Sequence, residues 1–116
     1  MKAVVLFGHG SRDPQWRLPM DAVAQRLRAQ GVAVRCAFLE LQGPGLPAAV
    51  AELARDGATA ITVLPMFLGA GRHAREDLPR LVADARAAHP GIAFDVRPAV
   101  GEDARLLDLL ARLALE

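Results

Sequence analysis

Apolar residues along the chain fall into two kinds of run. Four short runs, at 3–7, 32–39, 60–64 and 92–96, are nearly continuous in Ala, Val, Ile, Leu and Phe. Such runs mark strands buried on both faces, as in a parallel sheet covered by helices. Arg35 and Asp95 interrupt the second and fourth runs, which places those two strands nearer the edges of the sheet. Between the runs, apolar residues recur at helical spacing. The segment 18–30 carries Met20, Val23, Ala24 and Leu27 on one face, with Gly31 as its stop. A second helix is expected over 46–55, closed by Asp56-Gly57, and a third over 74–88, with Leu78, Leu81, Val82 and Ala85 on one face and His89-Pro90-Gly91 at its end. From 103 onward, Leu106, Leu107, Leu110 and Leu113 are expected to face inward, while Pro19 is expected to lengthen the loop before the first helix. Strand and helix alternate four times. The pattern predicts one α/β domain over 1–116, doubly wound, with a four-stranded parallel sheet flanked by helices.

That architecture also predicts where chemistry should lie. Ligands of open parallel sheets bind beyond the carboxyl ends of the strands, here the segments 8–13, 40–45, 65–73 and 97–103, and these stretches are polar and glycine-rich.

Composition narrows the partners. At 116 residues the chain has room for one domain, and 53% hydrophobic against 23% charged residues suits a packed core. Fourteen basic and thirteen acidic residues leave a net charge of +1, which offers no electrostatic footprint for nucleic acid. Aromatic residues are 4% and Tyr is absent, so a platform for stacking single-stranded bases is not expected either. Cys36, the only cysteine, lies in an apolar run, where a buried inert thiol and a reducing compartment are expected. The start MKAVVLFGHG is broken by Gly8 before it reaches the length of a signal core, and the other apolar runs fall far below the roughly 18 residues of a membrane span. No membrane partner is expected, and the location is expected to be cytoplasmic.

Two of the three histidines fall at predicted strand ends. His9 lies between Gly8 and Gly10, directly after the first strand, and His73 closes the segment Leu64-Pro65-Met66-Phe67-Leu68-Gly69-Ala70-Gly71-Arg72-His73. Glu40 ends the second strand at the same edge, whereas His89 sits at the opposite side as a helix terminus. Flanking glycines leave room beside an imidazole, and a neutral imidazole serves as a metal ligand or a proton acceptor near neutral pH. Two imidazoles and a carboxylate from adjacent strand ends suit a divalent first-row metal with open positions. Each side chain also has a purely structural role open to it: a hydrogen bond within a turn for His9, a helix start for His73, a solvated loop for Glu40. Several familiar motifs fail. Gly8-His9-Gly10-Ser11-Arg12-Asp13 lacks the third glycine of a dinucleotide loop, no phosphate loop is present, and Ser11 is not in a nucleophile elbow. Histidine phosphatases place Arg before the histidine, where this chain has Gly8.

On these residues the sequence resembles the short, CbiX-type sirohydrochlorin chelatases of the class II chelatase family. The resemblance runs over nearly the whole chain and is carried by Gly8-His9-Gly10-Ser11-Arg12, by Leu64-Pro65-Met66-Phe67-Leu68 with Gly71-Arg72-His73 and Asp77-Leu78-Pro79, by Ala37-Phe38-Leu39-Glu40, and by Pro98-Ala99-Val100-Gly101. It implies insertion of divalent cobalt or ferrous iron into sirohydrochlorin, for cobalamin or sirohaem synthesis, with nickel chemically admissible. It implies no cofactor beyond the metal substrate. It assigns metal binding to His9 and His73, and catalysis to His9, His73 and Glu40. Ser11, Arg12, Arg72 and Arg75 lie in the same two loops as these histidines and are expected to contact the substrate, the arginines at its peripheral carboxylates. The resemblance further implies a homodimer in which each chain supplies half of a two-lobed cleft. Gln42-Gly43-Pro44-Gly45 departs from relatives that often carry another acid in that loop. A metal carrier or small-ligand module using the same histidines is the alternative.

Overall fold

A computed structural model describes residues 1–116. Four strands, β1 (Lys2–Gly8), β2 (Ala33–Phe38), β3 (Ala60–Pro65) and β4 (Ala93–Val96), form one parallel sheet in the order β2-β1-β3-β4. Helices α1 (Leu18–Ala29), α2 (Leu46–Arg55), α3 (Arg72–Ala88) and α4 (Ala104–Leu115) follow the strands in turn, and a 3-10 turn, Val100–Glu102, precedes α4. β2 and β4, the strands interrupted by Arg35 and Asp95, are the two edges. Arg35 is tolerated there because its guanidinium reaches over α2 to Glu52 at 3.0 Å and Asp56 at 2.8 Å.

The two faces of the sheet are covered unequally. On one face, α2 and α3 close over Ala3, Val5, Phe7, Ile61 and Val63 in a cluster of 16 buried residues. Leu46, Val50 and Leu53 of α2 are among its fully buried side chains, and such burial stabilises by roughly 1.5–3 kcal/mol each. On the other face, α1 alone supplies Met20 and Ala24 against Leu6, Val34, Cys36 and Phe38, a cluster of 6.

Two expectations need correction. Pro19 does not lengthen the first loop; it lies in the first turn of α1, where a helix has no use for the missing N–H. Nor does α4 face inward. None of its residues is buried, and Leu107, Leu110 and Leu113 are 48%, 38% and 53% exposed. Helical periodicity reports an apolar stripe, and whether the chain itself covers that stripe is set by the direction in which the helix leaves the sheet. The 3-10 turn was not legible in the sequence, since three residues carry no periodic signal. No helix is long and apolar enough to cross a membrane.

Candidate functional site

At the carboxyl edge of the sheet the loops after β1 and β2 are tied together. Leu39 N–H donates to Gly8 O at 2.9 Å and Glu40 N–H to His9 O at 3.0 Å, continuing the ladder past the strands. Gly10 is required at this join: its φ is +105°, and a Cβ there would collide with the Glu40 carbonyl oxygen. Backbone pairing therefore brings two side chains 31 positions apart in sequence into contact, and His9 Nε2 lies 2.8 Å from Glu40 Oε1. Both remain open to solvent, with side chains 48% and 55% exposed. A second tie joins the loops after β3 and β4. Gly101 N–H donates to Phe67 O at 2.9 Å, and a Cβ at Gly101 would collide with the Leu68 carbonyl.

The other residues singled out from sequence are distributed as follows. His73 is the second residue of α3 and is exposed. It does not join His9 and Glu40 in a three-member group, and no cluster of three or more His, Cys, Asp or Glu side chains forms within the chain. The expected ligand set of two imidazoles and a carboxylate is thus not assembled by one lobe, because His73 enters on a helix start with no backbone tie to the His9 loop. Ser11 N–H donates to Gln42 Oε1, and the Ser11 hydroxyl accepts from Asp13 N–H, both at 3.0 Å, so Ser11 shapes its own loop. Arg72 is 82% exposed and pairs with Glu76 at 3.0 Å, Arg75 donates to the Ala70 carbonyl at 2.9 Å, and Arg12 is exposed.

Residues passed over in the sequence share this edge. Gln42, in the glycine-rich loop, bridges the β1 and β2 loops through Ser11. Trp16, Leu41 and Leu68 stand 39%, 52% and 69% exposed in the loops after β1, β2 and β3. Leu41 also has φ +69°, an uncommon left-handed conformation for a residue with a branched side chain. Large apolar side chains in loops that should be polar were the available signal. Trp16 is oriented by the Phe38 ring, 6.1 Å away, and Arg17 lies 4.9 Å over the other partner of that stack, the same Phe38.

The CbiX family model matches residues 3–116. The chain belongs to the CbiX family. It is 38% identical over 84 residues to the sirohydrochlorin cobaltochelatase of Methanopyrus kandleri, an alignment that covers 71% of this chain and 59% of that one. A crystal structure described as a putative cobalamin biosynthesis CbiX protein from Marinobacter aquaeolei superimposes with a TM-score of 0.84 at 28% identity, over 98% of this chain and 94% of that one. The sirohydrochlorin chelatase SirB from Bacillus subtilis, solved with cobalt, superimposes with a TM-score of 0.79 at 27% identity, over 96% of this chain but 48% of that one. The chain thus spans less than two thirds of the first curated relatives it matches.

For this CbiX-family lobe, the edge geometry sets what the side chains can do. Bonds of about 2.1 Å from imidazole or carboxylate to a first-row metal put neighbouring donors about 3 Å apart. His9 and Glu40 already stand at that spacing. The same contact can hold a proton between them. Two clefts reach the β3–β4 side of this edge: one of about 640 Å³ is bounded by Leu64, Arg97, Pro98, Leu106 and Leu109, and one of about 360 Å³ by Pro65, Phe67, Ala70, Arg75 and Glu102.

Proposed function

We propose that this chain is a sirohydrochlorin chelatase lobe that delivers divalent cobalt or ferrous iron, as substrate, to the macrocycle. The observation that carries the reading is the 2.8 Å His9–Glu40 contact at the open carboxyl edge of a CbiX-family sheet. His9 and His73 are assigned as metal ligands and, with Glu40, as the groups that manage protons. Insertion exchanges two pyrrole N–H protons for one divalent ion, so each turnover must release two protons as the four ring nitrogens bind the metal. A carboxylate beside the ligand can accept a proton without giving up the imidazole lone pair. Neutral imidazole and carboxylate hold such ions moderately, which suits a site that must surrender its metal.

The rim fits a flat, carboxylate-fringed ring in two respects. Trp16, Leu41 and Leu68 offer apolar contact for the macrocycle, and Arg12, Arg72 and Arg75 can meet its peripheral carboxylates, bidentately where the guanidinium plane allows. Ser11 is assigned to the same substrate edge. Because one chain assembles no group of three ligands, two copies are proposed to pair and enclose the substrate, bringing His73 into a complete ligand set. No further cofactor is assigned.

The test is an insertion assay with the purified chain, sirohydrochlorin and Co²⁺ or Fe²⁺, followed by the change in absorption. His9→Ala and His73→Ala are each expected to slow insertion by about 10²-fold or more, the usual scale for losing a proton-transfer or ligand group. Wild-type rates in both variants would overturn the assignment. Stoichiometric Co²⁺ binding without any acceleration would favour a metal carrier.

A further inference from the structure

The ladder that joins the loops after β1 and β2 has a third rung, and that rung is a side chain. Leu39 and Glu40 donate their N–H groups to Gly8 O and His9 O, but past Glu40 the backbone pairing stops. Leu41 takes φ +69°, a left-handed turn that leads the main chain away from an extended course. The next donor on the β1 loop, Ser11 N–H, is met by Gln42 Oε1 at 3.0 Å, in a half-buried bond. The Gln42 amide oxygen therefore does what a backbone carbonyl would do if the pairing went on.

The two loops are unequally held. The β2 loop is closed at its base, because Phe38 N–H donates to Pro44 O at 2.9 Å, and Gln42 sits inside that closure. The β1 loop is looser at the place that matters. His9 has glycine on both sides, and Gly10 adopts φ +105°. Glycine imposes little conformational preference of its own, so the direction of His9 depends on what grips the segment at each end. One end is β1. The other is Ser11, where a turn begins: the Ser11 hydroxyl accepts from Asp13 N–H at 3.0 Å, and Asp13 Oδ1 accepts from Gln15 N–H at 2.9 Å. Gln42 anchors this far end to the loop that carries Glu40.

We propose that Gln42 is a positioning residue for metal insertion: its amide oxygen, through Ser11 N–H, holds His9 at the 2.8 Å spacing from Glu40 at which both can bind one ion or share one proton. This rests on the chelatase reading above and adds to it a side chain that acts through its neighbours. Small displacements of a reacting group are costly to rate, so one hydrogen bond behind the pair is felt at the pair. The role asks for an acceptor oxygen at one particular reach. Glutamate supplies that oxygen, methionine of similar length offers only a weakly accepting sulfur, and asparagine withdraws the oxygen by one methylene.

Steady-state insertion of Co²⁺ into sirohydrochlorin is compared in the wild type and in Gln42→Met, Gln42→Asn and Gln42→Glu chains. The Met and Asn variants are expected to lower kcat about tenfold, the scale of one ordinary hydrogen bond, with KM for the macrocycle little changed. Gln42→Glu is expected to restore most of the wild-type kcat. Amide hydrogen exchange at Ser11 gives a readout that does not pass through activity. It is expected to be about tenfold faster in the Met and Asn chains than in the wild type and Gln42→Glu, while the amides inside β1 keep their protection. Wild-type kcat in the Met and Asn chains, a Gln42→Glu chain as slow as Gln42→Met, a loss confined to KM, or unchanged exchange at Ser11 each overturns the positioning role. In those cases a wild type that accelerates insertion leaves the chelatase reading intact. A wild type that gives no acceleration overturns both.

Discussion

The two faces of the sheet are built from the same strands yet differ in what closes them. The α2–α3 face is sealed over its whole width by 16 buried residues, and the α1 face is sealed over half its width by 6. Alternating side chains make both faces apolar, so the difference comes from where α4 goes. A face closed by its own chain holds the lobe together, and a face left half open is available to a partner. The functional edge lies at right angles to both, where loops tied by backbone hydrogen bonds set side chains on a rim.

The largest effect separating the faces should come from truncating their cores. Leu53→Ala is expected to cost about 4 kcal/mol and Met20→Ala about 2 kcal/mol, since a gap in the thinner cluster relaxes more readily. Urea denaturation under matched conditions measures both, and equal losses would mean that the α1 face is packed as firmly as the other. Gly10→Ala is expected to cost about 2 kcal/mol, because the position requires positive φ and the added carbon meets the Glu40 carbonyl. It should also separate His9 from Glu40, so insertion should fall while the melting transition stays cooperative.

A smaller contrast concerns Cys36 on the α1 face. Burial, aided by the negative charge of Asp21, pushes its thiol above the ordinary cysteine range, although Arg17 and Arg28 pull the other way. Alkylation at pH 8 is expected to be slower than for a free thiol and to become fast in denaturant; rapid labelling of the native chain would show that the α1 face opens. The smallest effect belongs to the root of α4. The Arg105 guanidinium holds the Asp103 carboxyl well below the usual carboxylate range, helped by the Arg105 backbone N–H. With a folded value below the unfolded one of about 3.9, the cap's contribution is present above that pH and is lost as acid titrates the folded carboxylate. Amide exchange in α4 should therefore quicken only in strong acid, whereas Asp103→Ala should quicken it at neutral pH without moving the lobe's own transition.

Much of this was legible residue by residue. Continuous apolar runs identified four strands, Arg35 and Asp95 marked the edges because a charged side chain needs a nearby route to solvent, and glycines beside His9 marked the rim. The His9–Glu40 contact was only partly legible. Both residues could be placed at strand ends, but their meeting depends on the Glu40 N–H···O His9 bond between loops 31 residues apart. Trp16, Leu41 and Leu68 were passed over because an apolar residue in a loop looks the same in sequence whether it is buried or presented.

Composition and periodicity established the class of fold, the order of its elements and the edge at which chemistry belongs, since strand and helix periods are local properties of the chain. Which imidazole meets which carboxylate, and whether the leucines of α4 face their own sheet or the space beyond it, were decided by the packed structure. Those outcomes depend on loop ties and on the angle at which a helix leaves a turn, and neither is encoded in the spacing of apolar residues.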